Sequence, residues 1–532
     1  MGNSGLLSWT SLVVSGVVAG LAYFVVKFVN HRRSYKGLPM PPHDFFWGHL
    51  KLVGELSRAL PKDTHFQYIT TTIGRDYDMP SVFYLDLWPL GPSCMIITDP
   101  DLALQVTGNH DHEKHDEEKS VIDPFIGAGN IVTSAGARWK HLHKQLSPAF
   151  SISNIAAMRG GIAEETMKFR GLMKELAQSG EDFRMDDYGQ RLMFDIIGKA
   201  TFSVSLHAQE NGSLALEYWE KMCRTHMVLR ESWNPIKNLF LKQKIRKIRI
   251  QFDAVLTKLV RERFDVVRRD KVDMSEKRGL GIMDLILRDD IQAGMQDLSP
   301  QFIADALSQV KTMLVAGTGT TSDTLCFANM FLSTHPEILQ RLREEHDTVF
   351  TKGVDATYAM LCAEPHKLSD LTLTTNVIKE VLRFFPIGST VRCENKAGFV
   401  MFQGQRYTTK GQMLAPQALG LHMDPRWFEN PTVFDPDRFA RADFPRHAWR
   451  PFERGPRACL GQPLAMDELK IVLLLTAREF DFTCANLRPN KTPKVGWSDL
   501  DLTFGDLAFQ EFCFEAKPRD GMPMNVKMSS WS

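Results

Sequence analysis

Neither sign of charge prevails in this chain: 64 Lys and Arg face 63 Asp and Glu, a formal net charge of +1, and charged residues make up 24% of its 532 positions. That balance excludes the basic footprint of a nucleic-acid-binding protein and the composition of a charge-rich disordered chain. No pair among the eight cysteines is spaced CxxC, which removes zinc ribbons and dithiol redox motifs and leaves reduced thiols as the reading. No GxGxxG follows a strand and there is no P-loop, so the chain has no nucleotide fingerprint of its own; Gly317, Thr318, Gly319 come nearest and lie within a helical stretch. Internal repeats and low-complexity tracts are missing too, and with them the solenoid and fibrous classes. Length by itself would allow about three domains.

One of the eight cysteines stands apart. It lies in the run Phe452, Glu453, Arg454, Gly455, Pro456, Arg457, Ala458, Cys459, Leu460, Gly461, which has the residue types of a loop presenting a thiolate to haem iron. Gly455 and Gly461 supply backbone conformations and clearances that a side chain would block. Pro463 with the apolar positions Leu464, Ala465, Leu469, Val472 and Leu473 predicts a helix just beyond, whose amide donors and positive end lower the thiol pKa. Arg457 is placed to pair with a haem propionate, and Phe452 to shield the sulfur from water. A buried cysteine in a Gly-rich turn is the plainer alternative.

Three further segments carry weight through their order. Lys379, Glu380, Val381, Leu382, Arg383 sets a Glu and an Arg at i and i+3 on one helix face, ordinarily a solvated ion pair. Phe434, Asp435, Pro436, Asp437, Arg438, Phe439 lies downstream of it. Upstream, Ser299 as N-cap and Pro300 at the first helical position open a long helix that runs until Pro336 begins the next element. Inside it lies Ala316, Gly317, Thr318, Gly319, Thr320, Thr321, where two glycines each cost about 1 kcal/mol against Ala. Something must offset that cost. A threonine in mid-helix can also simply bond back to a carbonyl.

Together these segments resemble the cytochrome P450 family: the cysteine loop matches its pattern at five fixed positions, and the matched segments spread from Trp139 to Gly461 in the family's order. The resemblance implies one large, mainly α fold with small β-sheets (α+β), holding haem b with Cys459 as axial thiolate and metal ligand. It implies a buried charge network of Glu380, Arg383 and Arg438 bracing the haem face. Thr320 matches the hydroxyl that helps deliver protons to iron-bound oxygen. Trp139 and His143, and Arg392 after Phe385 and Pro386, become propionate candidates beside Arg457. Two positions depart from the pattern: Gly319 stands where an acid usually precedes the Thr, and His143 where an Arg usually follows the Trp by four, making that contact sensitive to pH near neutrality.

From Gly5 to Val26 the chain is apolar or small and uncharged, long enough to cross a bilayer as one helix. Lys27, His31, Arg32, Arg33 and Lys36 follow, which places the remaining chain on the cytosolic side by the positive-inside rule and argues against a cleaved signal peptide. The expected organisation is residues 1–36 as anchor and basic flank, 37–42 as a proline-rich hinge, and 43–532 as the catalytic domain. By resemblance this suits a single-pass protein of the endoplasmic reticulum, supplied with electrons by NADPH-cytochrome P450 reductase. Lys140, Lys144, Arg446, Arg450 and Arg454 are candidates to meet that partner. His110, His112 and His115 among Asp and Glu have metal-ligand residue types, but their spacing and charge density predict an exposed loop.

The pocket walls expected from Ile122 to Val132, from Phe302, Ala306, Val310, Met313 and Leu314, and from Ile387 to Val391 suit an apolar small molecule of lipid, terpenoid or polyketide type. Oxygen insertion from O2 is the expected activity. A haem-thiolate isomerase or dehydratase, motivated by Gly319, and a non-enzymatic haem sensor or carrier stay open.

Overall fold

The computed structural model describes residues 4–108, 112–269, 279–513 and 515–531. Helices dominate. At the N-terminus Ser4–Ser34 is a single helix whose Ser11–Ser34 part is long and apolar enough to cross a membrane. Its end is not free. Arg32 is buried and donates to Phe45 O at 3.1 Å, Phe46 O at 2.9 Å and Trp88 O at 3.0 Å, and it pairs with the buried carboxylate of Asp86. His31 and His43 reach the same carboxylate at 2.9 and 3.0 Å. The proline-rich segment that follows is also held, with Tyr84 N–H donating to Pro39 O at 2.9 Å.

The β structure is small and peripheral. Val82–Leu85 and Cys94–Ile97 pair antiparallel, and Met413–Pro416 joins the second strand in parallel with Cys94 opposite Met413. A second three-stranded sheet has Pro523–Met528 between Phe183–Arg184 and Phe480–Cys484. Two hairpins complete it: Phe399–Phe402 with Gln405–Thr408, and Glu511–Cys513 with Glu515–Lys517. This is the mainly helical α+β architecture that the sequence implied.

At the centre runs Pro300–Leu332, 33 residues and about 50 Å at about 1.5 Å per residue. It begins as expected: Ser299 accepts the Phe302 N–H at 3.1 Å, with Pro300 in the first turn. It packs against Met185–Phe202, Thr372–Phe384, Pro235–Arg269 and Gln462–Thr476. Near its C-terminal end aromatic rings stack face to face, Phe327 on Phe385 at 4.0 Å and Phe331 on Phe434 at 4.2 Å. The two mid-helix glycines are explained by close approach. A Cβ on Gly317 would come within 2.9 Å of the Ile197 side chain, and one on Gly319 within 2.0 Å of Glu515 Oε1. Packing on both flanks therefore offsets the helix-propensity cost.

Glu380, Arg383 and Arg438 come together in the interior. Arg383 grips Glu380 with two bonds of 2.8 and 2.9 Å, and Arg438 Nε lies 3.5 Å from Glu380 Oε1, an ion-pair distance without hydrogen-bond geometry. The other Arg438 donors go to Glu429 O at 2.5 Å and Asn430 O at 3.2 Å. Arg383 Nη1 donates to His422 O at 2.9 Å, and the His422 ring joins Arg383 O at 3.0 Å through Nδ1 while Nε2 accepts the Arg450 N–H at 3.1 Å. That last bond requires a neutral ring. Burial first, and the adjacent Arg383 charge second, push the His422 pKa down to about 3.

Replacing Glu380 by Ala leaves two buried guanidiniums uncompensated, and we expect a loss of about 3–5 kcal/mol in urea unfolding. His422 gives a pH test with a defined sign. Its folded pKa is depressed, so its contribution is complete above the unfolded value near 6.5 and lost as pH falls below it. The stability gap between wild type and His422→Asn should narrow by about 1.4 kcal/mol per pH unit below about 6.5, measured by unfolding at matched pH.

Candidate active site

Between the cysteine loop and the long helix lies a cavity. Phe452, Cys459, Leu460, Leu464 and Ala465 line one side, and Thr312, Met313, Ala316, Gly317 and Thr320 the other. The loop gets its shape from short bonds: Cys459 N–H donates to Phe452 O at 2.9 Å and Ala458 N–H to Gly455 O at 3.0 Å. Gly455 sits at φ +87°, and a Cβ there would meet Thr107 O at 2.7 Å, so no other residue fits without movement. Gly461 differs from expectation. Its φ is −77°, so the backbone conformation does not demand glycine there, and among the described residues a Cβ would make only an ordinary contact, 3.7 Å from Cys459 Sγ.

The helix predicted after the loop is Gln462–Thr476, with Pro463 in its first turn. Backbone N–H groups of Gly461 and Gln462 point at the Cys459 sulfur. They pull the thiol pKa down, as the sequence suggested, while burial, the larger effect, pushes it up. Cys459 is exposed and lines the cavity.

Thr320 makes the back-bond weighed for it, its hydroxyl donating to Ala316 O at 2.7 Å as is common in mid-helix, and it also faces the cavity. Its hydroxyl oxygen retains acceptor capacity.

At the cavity edge the propionate candidates converge. Arg457 lies 4.5 Å above the Trp139 ring and donates to Ile131 O at 3.3 Å and to Ser134 O. Trp139 and His143 stack loosely at 5.0 Å, and both line the cavity. Arg392 is buried, and its Nη2 has no partner among the described residues. A neighbouring polar recess of about 700 Å³ is lined by Arg392, Arg457, Trp139, Lys140 and His112.

Lys114, absent from the sequence-derived site, joins this group. The segment around it was expected to be an exposed loop, yet His115 N–H donates to Val391 O at 3.3 Å and Cys393 N–H to Glu113 O at 2.8 Å, adding it as an edge to the Val391–Cys393 strand. This edge buries His112, whose Nδ1 lies 3.0 Å from Cys393 O, and Lys114. His115 caps Asp116–Ile126 through Glu117 N–H, and His110 lies outside the described residues.

These side chains fit the haem that the sequence implied. Lys114, Arg392 and Arg457 face one another; Glu118 pairs with Lys114 at 2.6 Å, Glu113 and Glu453 act from farther away, and neither Arg392 nor Arg457 has a carboxylate within ion-pair distance among the described residues. Burial first, then repulsion from Arg392, pulls the Arg457 pKa down to about 10. Two propionates would supply the missing negative charge and a partner for Arg392 Nη2.

Glu468 was also missed. It lines the cavity, and burial pushes its carboxyl up to about 8 against the Thr321 hydroxyl. The signal was present, because Glu468 falls one turn after Leu464 on the buried stripe of its helix. Ile131, Val132 and Met313 are walls as expected, while Phe125 packs against Trp219 and His226. Arg450 is buried rather than presented to a partner, donating to Thr107 Oγ1 at 3.1 Å; Lys140, Lys144 and Arg446 are exposed.

Comparison with known proteins agrees with this architecture. Residues 53–502 match the cytochrome P450 family model. The chain is 30% identical to cytochrome P450 monooxygenase polC of Polytolypa hystricis over 513 residues, covering 93% of this chain and 90% of the relative. It is 28% identical to cytochrome P450 monooxygenase ptmG of Penicillium ochrochloron, covering 90% and 89%. The crystal structure of the cytochrome P450DA heme domain superposes with a TM-score of 0.73 at 21% identity, covering 92% of this chain and 97% of that one. The chain belongs to the cytochrome P450 family: it is a P450 monooxygenase, an oxidoreductase whose cofactor is a thiolate-ligated haem.

Proposed function

We propose that this protein inserts an oxygen atom from O2 into an apolar small molecule of specialised-metabolite, terpenoid, polyketide or lipid type, with electrons from NADPH-cytochrome P450 reductase. The observation that carries the reading is Cys459 lining a cavity whose far wall presents Thr320 and whose edge gathers positive charge. Haem b, with Cys459 as axial ligand, would supply activated-oxygen chemistry.

The chain's own residues do the positioning. Arg457, Arg392, Lys114, Trp139 and His143 hold the acidic edge of the cofactor, and Phe452 covers the cysteine side. The Gly461 and Gln462 amides stabilise the thiolate once it forms. Thr320 hands protons into the cavity. Ile131, Val132, Phe150, Ile197 and Met313 give the substrate an apolar wall that excludes water.

Residues 1–36 serve as anchor and basic flank, 37–42 as the connection and 43–532 as the catalytic domain, with the body on the cytosolic face of the endoplasmic reticulum. The apolar helix and the basic residues after it support this placement. Exposed Lys140, Lys144 and Arg446 offer positive charge to an acidic reductase surface.

The carbon monoxide difference spectrum of the reduced, membrane-expressed protein tests the ligand. A strongly red-shifted Soret band that Cys459→Ser abolishes is expected, and its absence from folded, haem-loaded wild type overturns the assignment. Arg392→Ala and Arg457→Ala should each speed haem transfer to apomyoglobin, with the double variant fastest, because each removes positive charge facing the propionates.

A further inference from the structure

We propose that Glu515, on the C-terminal hairpin, is the proton-relay carboxyl for the cavity, standing in space for the side chain that the long helix lacks at Gly319. This rests on the monooxygenase reading above. The geometry is specific: Glu515 Oε1 would lie 2.0 Å, and its carboxyl carbon 2.9 Å, from a Cβ built on Gly319. The carboxyl therefore fills the volume of a residue-319 side chain, against the backbone next to Thr320. The hairpin is held in place by Ala516 N–H donating to Ile387 O at 3.2 Å and Phe512 N–H to Asp63 O at 2.8 Å.

The surroundings suit proton exchange. Lys517 Nζ stands 3.9 Å from Glu515, 3.9 Å from Asp323 and 3.7 Å from Asp186, so one cation serves three carboxylates. Both Asp323 oxygens are buried with no hydrogen-bond partner among the described residues. Such a group cannot remain fully ionised, and it holds protons near neutrality. Burial, against the opposing Lys517 charge, raises the Glu515 carboxyl to about 7. From the Leu214–Glu231 helix Cys223 and Glu220 also face the cluster, and Cys513 does so from the hairpin itself. Glu515 and Lys517 remain 14% and 20% exposed, which gives the cluster an outlet to solvent.

The step is balanced as a relay. The Glu515 proton passes through water to the Thr320 oxygen, the Thr320 proton moves into the cavity, and Glu515 regains a proton from solvent on the Lys517 side. No electrons move on these residues.

The test uses full-length, haem-loaded enzyme and needs no knowledge of the natural substrate. The pH titration of the carboxyl infrared band in the oxidised enzyme is compared with that of Glu515→Gln. With an NADPH-dependent reductase and no added substrate, hydrogen peroxide released per NADPH oxidised reports how often reduction stops at two electrons and two protons instead of continuing to water, which takes four of each. We expect an infrared component titrating near neutrality that Glu515→Gln removes, and a severalfold rise in peroxide per NADPH in that variant. The double variant Gly319→Asp/Glu515→Ala, which returns the carboxyl to the helix, should reverse the rise. An unchanged peroxide ratio in Glu515→Gln, even with a lowered melting temperature, overturns the relay and leaves a structural role. Wild type that oxidises no NADPH while its infrared titration persists overturns the monooxygenase reading instead, so the two failures are distinguishable.

Discussion

The buried pair of Glu380 and Arg383 is the contact from which the position of the cysteine loop follows. Arg383 has donors left after gripping the carboxylate, and one goes to His422 O; the His422 ring returns a bond to Arg383 O and receives the Arg450 N–H. Arg450 opens the turn into the loop, with Glu453 N–H on Arg450 O at 3.0 Å and Cys459 N–H on Phe452 O at 2.9 Å. A chain of polar contacts thus runs from a helix to the backbone of the cysteine loop. Glu380, Arg383, His422 and Arg450 in it are buried, so displacing one strands the next in a medium that penalises unpaired charge. Burying charge here fixes geometry more than it adds stability.

Charge is handled in the opposite way around the cavity. There Lys114, Arg392 and Arg457 crowd together, and among the described residues the Arg392 guanidinium keeps a nitrogen without a hydrogen-bond partner. Around Lys517, beside the long helix at Gly319, the imbalance reverses, with three carboxylates on one cation. The glycines of that helix allow neighbours to approach the backbone itself. A residue with a Cβ at 317 or 319 would hold those neighbours away.

Much of this was legible in the sequence where residue type and spacing are dictated locally. The cysteine loop, the Ser299–Pro300 start of the long helix, and the Glu380, Arg383 and Arg438 segments each carry their signal within a few residues. What escaped depends on pairing across the chain. Lys114 looked solvated because its neighbours are charged, and only its strand-like pairing with Val391–Cys393 buries it. Arg450 looked like surface charge until the His422 ring and Thr107 enclosed it. Gly319 read as a missing acid because sequence shows a vacancy on one helix and cannot show a carboxylate arriving from a hairpin nearly 200 residues later.

The tie between Arg32 and Asp86 has a mechanical meaning. A flexible tether would let the body roll beneath its anchor, but here the last turn of the apolar helix is bonded to Phe45, Phe46, Trp88 and Asp86. The helix is a rigid mast stepped into the body, and any surface that grips the mast also sets the tilt of the body and the direction in which its cavity faces.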